Sequence, residues 1–330
     1  MKAQGATLVK HYRELAFMGF LVVAVNLRSI LRNISNCKKD IAAYVPDIVI
    51  LVDYPGFNLR IARFAKNAGF KVCYYISPQV WAWKESRVEK IKKYVDKMYV
   101  ILPFEKKFYA NLGYEVEYVG HPLLDIIDKN ESSDFRQDHQ LTEEKIIAIL
   151  PGSRKHEINA MLPTMMKMKE SFPAYQYVIA GAPGVEEDYY NTFENSSSFK
   201  LVFDQTHDLL RESHCAMVTS GTASLETALF MIPEVVCYKG NEISYQIAKW
   251  LINVDYICLV NLILDKPVVV ELIQDEFNER NLRKSLGALL EDEEVRNNIL
   301  KEYTHLNDLL TETGASQKVA TQIDKFIKAD

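Results

Sequence analysis

"KIIAILPGSRKHEI", residues 145 to 158, runs from an apolar, β-branched stretch into Pro151, Gly152 and Ser153, and then sets Arg154 at the start of helical spacing. A short run that is apolar on both faces, closed by Pro-Gly and followed by an amphipathic segment, reads as a buried parallel strand, a tight turn and a helix. The unit recurs along the chain. "DIVILVD" (47–53), "KVCYYIS" (71–77) and "KMYVIL" (97–102) precede it, and "QYVIAG" (176–181), "HCAMVTS" (214–220) and "EVVCYK" (234–239) follow it. Such strands alternating with helices predict parallel sheets covered on both faces. Between the two series lies "DKNESSDFRQDHQLTEEK" (128–145), polar and nearly free of large apolar residues, which reads as a linker. The expected fold class is α/β: two Rossmann-like, doubly wound domains over 1–135 and 136–330, with helices only from Glu279 onward.

A chain of 330 residues with 48% hydrophobic content is long enough for two such domains, each with its own core. Its 39 basic and 44 acidic side chains are interleaved and leave a net charge of -5. Nothing in that balance points to nucleic acid, and any anion site must be local. The five cysteines are scattered without a C-x-x-C pair and read as reduced core thiols. The seven histidines show no H-x-x-x-H or H-E-x-x-H spacing and no D-x-D pair is present, so no metal is expected.

The uninterrupted apolar run of "AFMGFLVVAVNLRSILRNI" stops at Asn26, about half of the roughly 20 residues needed to span a bilayer. Phe20, Val23, Ala24, Leu27, Ile30, Leu31 and Ile34 follow helical i, i+3, i+4 spacing and predict one core-facing stripe. Leu21, Val22 and Val25 fall outside it. Covering each is worth on the order of 1.5–3 kcal/mol. Either the helix is buried all round, or this surplus face enters an anionic membrane surface beside Arg28, Arg32, Lys38 and Lys39.

In doubly wound sheets ligands bind beyond the carboxyl ends of strands, so the candidates for chemistry are the turns there. In "LPGSR", Gly152 lets backbone approach a ligand, Ser153 supplies a hydroxyl, and Arg154 sets a guanidinium at a helix start, where unpaired N–H groups already favour an anion. The same turn reads equally as a plain connector, with Ser153 as N-cap and Arg154 paired to Glu157. A second turn, "VTSGTASLETALF" (218–230), sets Ser220, Gly221 and Thr222 where a strand yields to a helix, with Glu226 one turn in on the Thr222 face. Glu226 suits a ribose diol, and it also suits a first-turn dipole partner. Neither turn has the spacing of an NTPase loop or a dinucleotide fingerprint. Two anion-type turns in one domain still favour a nucleotide.

In the first domain "VILVDYPGFN" ends its strand at Asp53, followed by Pro55, Gly56 and Asn58. A carboxylate there suits a general base facing an inter-domain cleft. From these residues alone, an Asx-type cap on the Pro-Gly turn is the simpler reading. "YISPQVWAWKES" puts Trp81 and Trp83 on a loop past a strand end, as core residues or as an aromatic wall.

"AQGATLVKHYRELAFMGF", "DYPGFN", "SPQVWAW", "LPFEKKFY", "VGHPLLD", "LPGSR", "SGTASLE" and "NLILDKPVVVELIQ", in that order, span nearly the whole chain, and together they resemble the lipid-A-disaccharide synthase family. The resemblance implies the GT-B architecture, two Rossmann-like domains facing a cleft. It also implies transfer of 2,3-diacylglucosamine from UDP-2,3-diacylglucosamine to the 6-hydroxyl of 2,3-diacylglucosamine 1-phosphate, with release of UDP and no cofactor. An α-linked donor giving a β product means inversion, hence one displacement with one general base. The implied location is cytoplasmic, peripheral on the inner face of the bacterial inner membrane, with Leu21, Val22 and Val25 as the membrane face.

Carried onto these residues, the resemblance makes Asp53 the base or acceptor-orienting carboxylate, reversing the simpler reading, with Asn58, Trp81 and Trp83 on the acceptor side. Gly152, Ser153, Ser220, Gly221 and Thr222 would cradle the diphosphate, Arg154 would offset charge on the departing UDP, and Glu226 would hold the ribose. Asn261, Glu271 and Gln274 would line the donor sugar, and His121 of "VGHPLLD" reads as structural. Two departures stand out. Gly56 occupies a position where many relatives carry a second aspartate, leaving Asp53 without a backup. The family's opening strand and "GEASGD" loop have no counterpart, which implies that Met1 is an internal start and that the first strand-loop-helix unit is missing. Two other readings remain: a UDP-sugar 2-epimerase on the same architecture, and a fragment that binds UDP without turnover.

Overall fold

The two series of strands form two separate all-parallel sheets in the computed structural model, which describes residues 4–10, 27–82, 87–127, 134–242, 245–246 and 254–329. In the first sheet β1 (Ile48–Val52), β2 (Lys71–Tyr75), β3 (Lys97–Val100) and β4 (Glu117–Tyr118) lie side by side in chain order. The second contains β5 (Ile146–Leu150), β6 (Gln176–Gly181), β7 (Lys200–Phe203), β8 (Ser213–Thr219), β9 (Glu234–Tyr238) and β10 (Val270–Ile273). Their spatial order is β10-β9-β8-β5-β6-β7. The chain winds outward from β5 to β7, returns to β8 and winds the other way, so the direction switches between β5 and β8, where a crevice opens at the strand ends.

The apolar run that marked β5 has a direct cause. Ile147 and Ile149 face Ile158, Met161 and Leu162 of the following helix, while Ile146, Ala148 and Leu150 face a second cluster with Val178, Val202 and Leu209. With both faces covered, every position must be apolar. β4, β7 and β10, absent from the sequence reading, are all at sheet edges. Edge strands need no long apolar run, and "EY", "KLVF" and "VELI" carry none longer than three residues. β1 also differs from expectation. It is an edge strand among the described residues, with Val49 and Leu51 buried but Ile50 and Val52 each 48% exposed.

Leu21, Val22 and Val25 lie outside the described residues, as does Trp83. The helix Leu27–Tyr44 packs on the first core through Ile30, Ile34, Cys37 and Ile41, whereas Leu31, expected in the same stripe, is exposed. Among the described residues no helix is long and apolar enough to cross a membrane. The segment read as a linker is partly structural: Phe135 is fully buried in the second core, and Arg136 Nε pairs with Glu212 at 2.6 Å. Phe135 and Leu141 dock the stretch, and Arg136 ties it down.

The end of the chain returns to the first sheet. Three helices, Glu279–Glu291, Glu293–Leu309 and Ala315–Lys328, follow β10. The last lays Ala315, Val319 and Ile323 on Cys73, Tyr99 and Val119, contacts worth on the order of 1.5–3 kcal/mol for each large side chain covered. Thus a division at 135/136 puts this helix with the second domain in sequence but beside the first sheet in space. The "VGHPLLD" stretch receives it. Asp125 Oδ1 accepts from Gly314 N at 2.5 Å, and at Gly120 (φ +92°) an added Cβ would lie 2.1 Å from the Glu312 carbonyl. His121 is buried and its Nδ1 accepts from Leu123 N at 3.3 Å, capping the short helix Pro122–Asp125. Burial pulls the His121 imidazole down to about 4, so it is neutral at neutral pH.

Candidate active site

The two turns singled out in the sequence flank the switch point. "LPGSR" follows β5 and "SGTASLE" follows β8, and both open on one cavity of about 670 Å³ that also takes Gln79 and Trp81 from the first half of the chain. Gly152, Ser153, Arg154, Ser220, Gly221, Thr222 and Glu226 all line it. A larger cavity, about 750 Å³, lies against β10 and the helices after it, away from the switch point. The strand-end cavity has the position at which open α/β sheets bind ligands.

The first turn is built around Glu157. Its Oε2 accepts from Ser153 N at 2.9 Å, Ser153 Oγ at 3.3 Å and Arg154 N at 3.2 Å, while Oε1 pairs with Arg154 Nη1 at 2.8 Å. Arg154, not Ser153, is the N-cap of the helix Lys155–Met166. A carboxylate three residues into a helix is a familiar cap partner, but here it also occupies donors suited to an anion. Gly152 adopts φ +118°, and an added Cβ would lie 2.7 Å from Glu157 Cβ, so only glycine fits.

The second turn begins the helix Thr222–Leu229 with Gly221 as its N-cap. Ser224 is buried and its Oγ donates to Gly221 O at 2.8 Å, tightening the turn from inside. Glu226 Oε1 lies 2.5 Å from His207 Nε2, and the His207 ring packs against Phe230 with centroids 5.2 Å apart.

The Trp81 wall is held from behind. Glu105, 1% exposed, accepts from Trp81 Nε1 at 3.2 Å, from Ile101 N at 3.2 Å, from Leu102 N at 3.0 Å and from Ser77 Oγ. Burial pushes its carboxyl above the usual range, while these four donors pull it back. Phe104 stands edge-on to Trp81 at 5.0 Å. Glu105 stands three residues after the N-cap Leu102, a place from which a carboxylate reaches back to the N-cap N–H, though Leu102 has no polar side chain to complete a capping box.

Asp53 and Asn58 sit at the carboxyl end of β1, outside the lining of the cavity. Asp53 and Tyr54 both have left-handed backbone, φ 45° and 46°, which costs residues with a Cβ about 1–2 kcal/mol each. Three hydrogen bonds hold Asp53 there. Its N–H donates to Tyr75 O at 3.0 Å, and its carbonyl accepts from Asn58 Nδ2 at 2.6 Å and Tyr74 Oη at 2.5 Å. Burial, then the Asp53 charge, pushes the Tyr74 phenol far above its ordinary value and keeps it a donor. Asn58, expected on the acceptor side, therefore spends its amide on the backbone, including Val52 O at 2.9 Å. The Asp53 carboxylate itself is exposed.

Asn261, Glu271 and Gln274, expected along the donor sugar, are absent from the lining of this cavity, and their polar atoms are engaged within the protein. Asn261 is 1% exposed, donates to Val269 O at 2.9 Å and Glu271 at 2.8 Å, and accepts from Val268 N and Val269 N. Glu271 also accepts from Ile257 N and Cys258 N, and Gln274 bridges Gly240 and Glu242. They shape the loop whose Ile257, Leu259 and Leu262 line the cavity.

Comparison with known proteins adds to this geometry. The sequence pattern of the lipid-A-disaccharide synthetase family matches residues 1–324. The lipid-A-disaccharide synthase of Syntrophus aciditrophicus is 39% identical over 337 residues, an alignment covering 99% of this chain and 88% of that protein. The Coxiella burnetii enzyme of the same name is 35% identical over 99% of this chain and 88% of its own length. Among solved structures, the glycotransferase of kitacinnamycin superimposes with a TM-score of 0.64 at 14% identity, covering 98% of this chain and 87% of that one. The S. aureus MnaA-UDP co-structure gives 0.61 at 13% identity, over 91% and 81%. These structures share the GT-B fold with the chain.

Proposed function

The chain belongs to the lipid-A-disaccharide synthase family of lipid A glycosyltransferases, and on that premise we propose that it transfers 2,3-diacylglucosamine from UDP-2,3-diacylglucosamine to 2,3-diacylglucosamine 1-phosphate with inversion. The observation that carries the donor half is the pair of strand-end turns flanking the switch point of one sheet and sharing one cavity. In this reading residues 136–330 bind the UDP-sugar and residues 1–135 present the acceptor. The acceptor 6-hydroxyl oxygen attacks C1 of the donor sugar and the C1–O bond to UDP breaks. UDP leaves with the bonding pair, and Asp53 takes the hydroxyl proton. Arg154 exchanges Glu157 for the departing diphosphate, supplying charge stabilisation where negative charge grows.

The acyl chains of both substrates supply the reason to place the enzyme on the cytoplasmic face of the inner membrane, through Leu21, Val22 and Val25. Family membership favours acceptor-dependent transfer over 2-epimerisation. The decisive assay incubates the full chain with both lipid substrates and measures UDP release. Turnover is expected, falling by at least about a hundredfold in Asp53→Ala and in Arg154→Ala, the range of lost general-base or charge stabilisation. Undiminished turnover in either variant removes the role given to that residue. UDP binding without turnover in the wild-type chain identifies a binding fragment.

A further inference from the structure

Glu226 was the ribose candidate from sequence, but nothing in the sequence joined it to a partner 19 residues upstream. The structure does so with His207, whose Nε2 stands 2.5 Å from Glu226 Oε1. A carboxylate offers only acceptors, so Nε2 is the protonated nitrogen of that pair. The ring is itself fixed, packed on Phe230 at 5.2 Å with an interplanar angle of 48°. The His207 and Glu226 side chains are 28% and 18% exposed. Glu226 lines the cavity and His207 stands behind it. With Oε1 engaged, Oε2 has no hydrogen-bond partner among the described residues.

We infer that His207 is a positioning residue that makes the site selective for ribonucleotides, by holding the Glu226 carboxylate in the one orientation that accepts hydrogen bonds from the ribose hydroxyls. A glutamate has three side-chain torsions to order. Fixing them before binding removes a cost that ligand contacts would otherwise have to offset, and the gain is realised only on a sugar that carries the hydroxyl. His207 thereby acts on discrimination between ribose and deoxyribose, through Glu226, without touching the ligand. The inference rests on the reading of Glu226 as the ribose-binding residue.

The test separates the two. UDP and 2′-deoxy-UDP are titrated calorimetrically into the full-length wild-type chain and into Glu226→Ala, His207→Ala, His207→Asn and His207→Gln, with thermal melts confirming folding. The wild type is expected to prefer UDP by about tenfold or more, the worth of one hydrogen bond to a charged group. Glu226→Ala brings that ratio close to one. His207→Ala and His207→Asn, which is too short to reach Glu226, lower it severalfold while leaving 2′-deoxy-UDP binding within about twofold, since that ligand lacks the hydroxyl being read. His207→Gln, which can place an amide N–H near the same point, restores it. If Glu226→Ala keeps the ratio, the ribose reading fails and this inference falls with it. If Glu226→Ala loses the ratio but both shorter His207 variants keep it, the ribose reading survives and positioning by His207 is overturned. Equal weakening of both ligands by the His207 variants also overturns it, because that is the mark of a structural role.

Discussion

Glu157→Gln should make the protein bind UDP more tightly. In the structure the Glu157 carboxylate takes the Ser153 N–H and hydroxyl, the Arg154 N–H and the Arg154 guanidinium, the donors through which the first turn would hold a diphosphate. A glutamine carbonyl can still accept from the two backbone N–H groups, which preserves the cap, but its amide cannot accept from a guanidinium. The Arg154–Glu157 pair, with side chains 43% and 20% exposed, is worth about 0.5–1 kcal/mol after solvent screening. Removing a negative charge a few ångströms from a bound diphosphate adds about 1 kcal/mol in a water-like dielectric. The sum corresponds to roughly ten- to thirtyfold tighter binding. Calorimetric titration with UDP measures it directly, and the charge component should shrink as salt rises. The same substitution in an Arg154→Ala background should keep the charge component and lose the part that comes from releasing Arg154, about a third to a half of the gain. Unchanged or weaker UDP binding by a folded Glu157→Gln protein would refute competition for the anion seat and leave Glu157 as a support of the loop.

Two further outcomes follow from the first half of the chain. Asn58→Ala removes two hydrogen bonds that hold the left-handed turn at Asp53, each worth about 1 kcal/mol; kcat should fall about tenfold or more while KM for the donor moves little, and steady-state kinetics showing an unchanged kcat contradict the positioning of Asp53 by Asn58. His121 is neutral in the folded protein down to about pH 4, whereas the unfolded chain takes up that proton below about pH 6.5. The unfolded state therefore binds more protons between those values, so the contribution is intact above pH 6.5 and declines as pH falls towards 4, by about 3 kcal/mol in all. His121→Asn keeps a capping acceptor but no titrating group; urea unfolding from pH 4.5 to 7 should show a shallower acid slope, and equal slopes would exclude His121 as the source.

What was legible in the sequence was whatever repeats locally. The apolar runs marked seven of the ten strands among the described residues because those strands are buried or closed by strong turns, and Gly152 and Gly221 marked the two anion-type turns. The edge strands β4, β7 and β10 escaped because each is only two to four residues long and carries a charged residue. Side-chain direction escaped too. Asn58, Asn261, Glu271 and Gln274 are placed by motif alone, and no local spacing shows that each also hydrogen-bonds backbone or another side chain. His207 and Glu226 are paired only because β7 and β8 bring their following helices to the same end of a sheet, a relation no local spacing encodes.

The helix Ala315–Lys328 has a consequence for synthesis. It covers Cys73, Tyr99 and Val119 of the first sheet, and Lys71 Nζ donates to Phe326 O at 3.0 Å across 255 positions of chain. During translation at about 5–20 residues per second, the strands made first wait many seconds for a cover made last. The first sheet therefore emerges from the ribosome with an apolar face bare, while the second sheet has nearly all of its own residues at hand. Folding should finish out of chain order, the later-made sheet closing first. A nascent chain stalled with Gly314 just clear of the ribosome and Ala315–Lys328 still inside it should consequently expose Cys73, 0% exposed in the finished fold, to thiol reagents while Cys215 and Cys237 are already protected.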